Sequence, residues 1–189
     1  MTVLITGAAG FIGAHVAQKL LAQGRTVIGV DNLNDYYPSQ LKRDRLANLC
    51  IGRDFTYLEV DVAAPTALKA ALGGRKPTQI LHLAAQAGVR YSLQNPAAYT
   101  EANLEGHFEM LELAKALEVE NMVYASSSSV YGGNTKIPFA ETDQTDDPVA
   151  ILFAAVWIVA DGPSFLHRLR TMGATRYGLL DFCRKNPTR

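Results

Sequence analysis

The chain has 189 residues, of which 48% are hydrophobic and 19% are charged. This composition is typical of a folded domain with a buried core and argues against intrinsic disorder. Lys and Arg number 18 and Asp and Glu also number 18, so the formal net charge is zero. A zero net charge argues against a basic protein that binds nucleic acid.

Charge and apolar residues are unevenly distributed along the chain. Residues 1–148 carry 12 basic and 16 acidic side chains, whereas residues 149–189 carry six basic and two acidic ones. The longest apolar run, residues 149–160, is too short for a membrane span, which needs about 18 residues. The first residues lack the basic segment of a signal peptide, and Cys50 and Cys183 form neither a zinc nor a disulfide pattern. We therefore expect a cytoplasmic protein without a metal site and without a membrane partner.

Strand and helix patterns alternate along residues 2–126. Apolar β-branched runs predict strands at residues 2–6, 26–30, 55–60, 79–83 and 121–126, and helical spacing predicts helices at 11–23, 38–49, 65–72 and 97–117. The apolar positions at helical spacing are Phe11, Ile12, Val16, Leu20 and Leu21 in the first helix, and Leu41, Leu46 and Leu49 on one side of the second. This alternation predicts an α/β fold, a Rossmann-like doubly wound parallel sheet with flanking helices. Ligands of such sheets bind beyond the carboxyl ends of the strands, so functional residues are expected there.

A glycine-rich turn at residues 7–13 follows the first strand and opens the first helix. Glycine permits a tight turn, and it lets backbone N–H groups approach a pyrophosphate at the positive end of a helix. Asp31 ends the second strand, where a carboxylate can accept hydrogen bonds from a ribose diol and repel a 2′-phosphate, which favours NAD over NADP. Asp61 and Val62 follow the third strand and are candidates for the adenine edge, although a solvated strand-end Asp61 is an equal alternative.

Four stretches carry a family resemblance: TGAAGFIG at residues 6–13, VDNLNDYY at 30–37, HLAAQAGVRYS at 82–92 and YASSSSVYG at 124–132. They resemble the extended short-chain dehydrogenase/reductase family, the NAD-dependent epimerases and dehydratases, and in particular its UDP-glucuronate 4-epimerases. UDP-glucose 4-epimerases and nucleotide-sugar dehydratases are related alternatives. The resemblance runs from residue 1 to about residue 148 and implies an NAD-binding Rossmann-like domain over residues 1–148.

The resemblance implies a mechanism in which a tyrosine takes the proton of the sugar 4-hydroxyl while NAD accepts and returns a hydride, inverting C4 through a 4-keto sugar. It makes Ser127 the catalytic and substrate-binding hydroxyl, with its neighbour Ser128 as the second candidate and a flexible turn as the alternative interpretation of the serine run. Arg90 becomes a contact to a UDP-linked acidic sugar, with a surface salt bridge as the rival interpretation. The implied cofactor contacts are Gly7, Ala9, Gly10, Phe11, Ile12, Gly13, Asp31, Asn32, Asp61, Val62, Leu83, Ala84, Ala85, Gln86 and Asn103.

The sequence departs from the family pattern after Pro148. The family places a Tyr-x-x-x-Lys pair there, as catalytic base and the lysine that tunes it, and none of the eight tyrosines in this chain has a lysine four residues later. Our hypothesis is that residues 149–189 are an atypical tail read out of frame, so that the C-terminal substrate lobe is missing. We then expect an inactive, non-catalytic NAD-binding fragment or pseudoenzyme. A partner-binding role of the basic tail is a third alternative, and a homodimer is doubtful because one family dimer helix falls in the lost region.

Overall fold

The computed structural model describes residues 1–50, 54–87, 94–126 and 135–143 together with Tyr91 and Tyr131, with the backbone alone at Cys50. The chain divides into two compact units, Met1–Met122 and Val123–Arg189. In the second unit, the rings of Tyr131 and Phe139 stack with their centroids 4.5 Å apart. Lys136 forms an ion pair there with Asp143, at 2.6 Å between Nζ and Oδ1.

Five strands form one sheet in the order β3-β2-β1-β4-β5. They are β1 Thr2–Thr6, β2 Thr26–Asp31, β3 Phe55–Glu59, β4 Gln79–His82 and β5 Asn121–Tyr124. β1 pairs in parallel with both β2 and β4, and β2 pairs in parallel with β3. The predicted doubly wound, Rossmann-like sheet is confirmed. Because the chain turns back between β3 and β4, the switch point of the sheet lies between β1 and β4.

The helices also follow the predicted order, with shifted ends. They are α1 Phe11–Ala22, α2 Ser39–Cys50, α3 Ala67–Leu72, α4 Pro96–Tyr99 and α5 Gly106–Ala116. A π-helical turn, Thr100–Glu105, joins α4 to α5, so the single helix predicted over residues 97–117 is three consecutive segments. No helix within the described ranges is both long and apolar enough to cross a membrane.

The core is built on the central strands. Leu4 and Ile5 of β1 and Val27 of β2 have no exposed surface, as expected for parallel strands buried on both faces. Leu72 of α3 and Met110 of α5 are 1% exposed. Burying each side chain of this size contributes about 1.5–3 kcal/mol to the free energy of unfolding.

The apolar spacing predicted α1 correctly but not its buried face. Phe11 and Ile12 are 68% and 56% exposed, and the buried residues of α1 are Gly13, Ala14, Ala17 and Leu21. A side chain at Gly13 would collide with the carbonyl oxygen of Gly7. The first turns of α1 therefore pack through small residues, because they lie too close to the glycine-rich turn for larger ones, and Leu21 is buried only near the end of the helix.

The buried face of α2 differs in a similar way. We predicted Leu41, Leu46 and Leu49 on one side, yet Leu41 is 46% exposed while Leu46 and Leu49 are buried. Lys42 takes the remaining inner position and is 4% exposed. Positions 42, 46 and 49 share a helix face because they are spaced by four and three residues.

Candidate functional site

A cleft lies at the carboxyl ends of β1, β2 and β4, at the switch point of the sheet. Part of its lining was not predicted from the sequence and consists of Asn34, Tyr36, Tyr37, Lys42 and Ala102. The predicted cofactor residues that the cleft brings together are Gly7, Gly10, Asp31, Asn32, Asp61, Val62, Leu83, Ala84, Ala85 and Gln86.

Gly7 allows the backbone after β1 to contact the backbone after β4. Its φ of +69° is one that side chains disfavour, and a Cβ there would lie 2.9 Å from the backbone of Leu83 and Ala84. The N–H of Gly10 donates to the Gly7 carbonyl oxygen at 2.9 Å and closes the turn. The end of β1 and the segment after β4 therefore meet backbone to backbone.

Gly10 is the N-cap of α1, with φ −69° and ψ 170°. Its carbonyl accepts the Ala14 N–H at 3.0 Å, but among the described residues no side chain caps this end and no acidic residue stands in the first turn. The first N–H groups of a helix have no partner inside the helix, and they carry the positive end of its dipole. This terminus is therefore suited to an anion. The predicted contacts Ala9, Phe11, Ile12 and Gly13 lie beside it.

Asp31 is buried at the end of β2, and both carboxylate oxygens are engaged. Oδ2 accepts the Ala9 N–H at 3.1 Å, and Oδ1 accepts the Leu33 N–H at 2.9 Å. The Nζ of Lys42 lies 3.4 Å from Oδ1, and both side chains of this ion pair are nearly inaccessible to solvent. The carboxylate is thus held in place from the glycine-rich turn, from the segment after β2 and from α2.

Lys42 reaches the cleft from α2. Its Nζ donates to Oδ1 of Asn34 at 2.9 Å and lies 4.9 Å from the ring centroid of Tyr37. Sequence reasoning missed Lys42 because lysine on a helix is mostly exposed. The signal available was its spacing of four and seven residues from Leu46 and Leu49, which places it on their face.

Asn32 and Asp61 connect the ends of β2 and β3. The Nδ2 of Asn32 donates to Oδ2 of Asp61 at 2.8 Å, and Oδ1 of Asp61 accepts the Ala63 N–H at 2.9 Å. Val62 is 7% exposed, and a Cβ at Gly106 would lie 3.0 Å from its Cγ2. The polar edge at Asp61 is therefore fixed by its neighbours, while Val62 packs against α5.

Asn103 holds the segment after β4 through Gln86. Its Oδ1 accepts the Gln86 N–H at 2.8 Å, and its Nδ2 donates to the Gln86 carbonyl oxygen at 3.1 Å. The hydroxyl of Tyr99 donates to the next carbonyl, that of Ala87, at 2.7 Å. Both ends of the Asn103 amide are thus engaged with backbone, which gives this predicted cofactor contact a positioning role.

Two histidines lie behind the cleft. His82 is 5% exposed, and its ring centroid is 5.2 Å from that of His107. Burial lowers the pKa of His82 to about 3, and the neighbouring His107 adds to this lowering. Burial also lowers the pKa of His107 to about 4. Both rings are therefore neutral near pH 7.

Some of the predicted site lies outside the described residues. These positions are Ser127, Ser128 and Arg90, together with the tail at residues 149–189. Within the described ranges, no group of three or more His, Cys, Asp or Glu side chains is arranged to hold a metal ion.

Comparison with known proteins gives one family. Residues 3–151 match the family described as the NAD dependent epimerase/dehydratase family. Protein CapI of Staphylococcus aureus is 45% identical over 178 residues, which cover 92% of this chain and 52% of that protein. A probable UDP-glucuronate 4-epimerase of Rhizobium meliloti is 50% identical over 155 residues, covering 82% of this chain and 45% of that protein.

Solved structures agree with the sequence relatives. A UDP-glucuronic acid 4-epimerase from Bacillus cereus, in complex with UDP-glucuronic acid and NAD, has a TM-score of 0.73 at 27% identity and covers 92% of this chain and 54% of that one. A Thermus thermophilus UDP-glucose 4-epimerase complex with NAD has a TM-score of 0.69 at 30% identity, with coverages of 94% and 53%. The chain thus spans about half the length of the relatives it matches. The resemblance inferred from the four motifs is confirmed: the chain belongs to the NAD dependent epimerase/dehydratase family.

Proposed function

We propose that this chain binds NAD in the cleft between the ends of β1, β2 and β4. The pyrophosphate lies at the N-terminus of α1, the adenosine ribose at Asp31 and the adenine beside Asp61 and Val62. The observation that carries this proposal is the cleft itself, which brings a buried carboxylate together at the switch point with a helix terminus that no described side chain caps.

The chemistry of the lining residues fits a dinucleotide. Backbone N–H groups at the start of α1 suit a diphosphate, and the acceptor position that remains on Oδ2 of Asp31 suits a ribose hydroxyl. Ala84 and Ala85 have small side chains that leave room for a flat ring beside the end of β4. When bound, NAD supplies reversible hydride acceptance to the reaction. The residues on this chain bind it, orient it and limit the access of water.

The substrate class that the relatives support is a UDP-linked hexose, epimerised at C4. UDP-glucuronate is favoured because the Rhizobium meliloti relative and the Bacillus cereus structure are named for that activity. A UDP-glucose epimerase or a dehydratase is the alternative. In this proposal Ser127 and Ser128 contact the sugar hydroxyl, and Arg90 contacts the acidic sugar.

Catalysis also needs a base for the sugar hydroxyl. The Tyr-x-x-x-Lys pair, whose tyrosine is that base in the family pattern, does not occur in these 189 residues. This absence favours a chain that binds NAD without turnover, so the 189-residue chain is a cofactor-binding module by this proposal.

Two measurements on the purified chain test these statements separately. Isothermal titration with NAD should give saturable binding, and its absence would overturn the cofactor proposal. Chromatography of UDP-glucuronate incubated with the chain and NAD should show no UDP-galacturonate above a protein-free blank. Formation of the epimer would show that the chain supplies a base that its sequence does not reveal.

A further inference from the structure

Among the described residues that line the cleft, Lys42 is the only basic one. Lys42 is 4% exposed. The positive charge on its Nζ is balanced by the Asp31 carboxylate, whose Oδ1 lies 3.4 Å away. An ammonium group has three N–H donors, and here Asp31 and Asn34 receive two of them. At this edge of the cleft Asp31 is therefore one half of a buried ion pair, not the lone carboxylate that the sequence pattern suggests.

We propose that Lys42 determines cofactor specificity together with Asp31, an inference that rests on the proposed NAD site. In this pair Asp31 does more than repel a 2′-phosphate. It also pairs with a buried cation that would otherwise bind one, because an ammonium group without a carboxylate partner is a good phosphate ligand. Lys42 is thus a latent 2′-phosphate site that Asp31 masks.

The two roles of Asp31 can be separated by substitution. If Asp31 acts by repulsion alone, Asp31→Asn should relax discrimination to the same degree whether or not Lys42 is present. If Asp31 masks Lys42, the same change releases the cation beside the ribose, and the gain in NADP affinity depends on Lys42. Asparagine keeps an oxygen that can accept the N–H of Ala9 or Leu33.

The experiment is isothermal titration of NAD and NADP into the wild type, Asp31→Asn, Lys42→Met and the double variant. We expect the NADP-to-NAD affinity ratio to rise about tenfold or more in Asp31→Asn and to lose most of that rise in the double variant. Arg43→Met is the matched control, since it removes the same charge from an exposed neighbouring position of α2 and should retain the wild-type ratio.

Equal ratios in Asp31→Asn and in the double variant would overturn the inference. Wild type that binds no NAD would instead overturn the proposed function, so the two failures are distinguishable. Circular dichroism melts establish that each variant is folded. Should Asp31→Asn not fold, Asp31→Ser with and without Lys42→Met gives the same comparison. The fragments 2′,5′-ADP and 5′-AMP repeat the comparison without the nicotinamide half.

Discussion

The hydroxyl oxygen of Thr6, the last residue of β1, lies 2.7 Å from Nδ1 of His82, the last residue of β4. The same oxygen accepts the N–H groups of Leu83 and Ala84, each at 3.1 Å. With both lone pairs used, the Thr6 O–H must donate to His82, so Nδ1 carries no proton. This arrangement joins the two strands at the switch point and fixes the segment after β4 against the glycine-rich turn.

Thr6→Val should lower both stability and NAD affinity. The change leaves the Ala84 N–H and the Nδ1 of His82 without this partner, whereas the Leu83 N–H keeps the Thr6 carbonyl oxygen at 3.3 Å. We expect the free energy of unfolding to fall by about 2–3 kcal/mol. NAD affinity should fall as well, because Leu83 and Ala84 line the cleft. Urea unfolding and isothermal titration measure the two effects.

Thr78→Val is the control for this prediction. Thr78 precedes β4, and its hydroxyl donates to the Thr2 carbonyl at 3.2 Å, at the amino ends of β1 and β4 and so at the opposite end of these strands from the cleft. It should cost about 1 kcal/mol of stability and leave NAD affinity unchanged. An equal loss of affinity in both variants would show that general destabilisation, rather than the position of Leu83 and Ala84, is responsible.

Acid should destabilise the fold through His82 and His107. Their pKa values, about 3 and about 4, lie below the ordinary value, so the unfolded chain binds protons more readily than the folded one. The contribution is complete above about pH 6.5 and is lost as the pH falls from there towards the folded pKa values, by up to about 1.4 kcal/mol per pH unit for each histidine. Urea unfolding between about pH 7 and about pH 5 measures this slope.

His107→Gln tests whether the two histidines cause this change of unfolding free energy with pH. It removes one titrating ring, and the decline in unfolding free energy with falling pH should become about half as steep if the two rings contribute equally. A variant with the wild-type slope would assign the acid sensitivity to other groups.

The sheet was predictable because each strand is a short apolar run between turn residues, and the positions of Gly7 and Asp31 followed from the order of elements. The helix face of Lys42 was predictable from its spacing to Leu46 and Leu49, but its burial was not, since that depends on Asp31, a partner 11 residues away. The π-helical turn at Thr100–Glu105 lies within residues 97–117, for which the sequence predicts one continuous helix. Phe11 and Ile12 are exposed although they are apolar, because Gly13, Ala14 and Ala17 form the buried side of this part of α1.

Gly10→Asp should separate stability from NAD binding. An aspartate at this N-cap can accept the N–H groups of the first turn, with a gain of a few tenths to about 1 kcal/mol. Its Cβ would lie 3.0 Å from the Gly7 carbonyl oxygen, and this tight contact offsets part of the gain. The same carboxylate occupies the donors and repels a pyrophosphate, so NAD affinity should fall by about tenfold or more.

Gly10→Asn provides the comparison for the charge. It has the same size and can cap the helix, but it does not repel an anion, so its loss of NAD affinity should be smaller than that of Gly10→Asp. Thermal melts of both variants should stay close to that of the wild type. Undiminished NAD affinity in Gly10→Asp would place the pyrophosphate away from α1.

Asn103→Asp should weaken the binding of NAD more than that of 5′-AMP. Asn103 uses its Nδ2 as a donor to the Gln86 carbonyl, and a carboxylate would turn an oxygen toward that carbonyl instead. We expect a loss of about 1–3 kcal/mol in stability and a displacement of the segment after β4. That segment lies at the proposed nicotinamide end, so titration of the wild type and the variant with both ligands should show a larger loss for NAD. Equal losses for NAD and 5′-AMP would mean that Asn103 supports the whole cleft rather than its nicotinamide end.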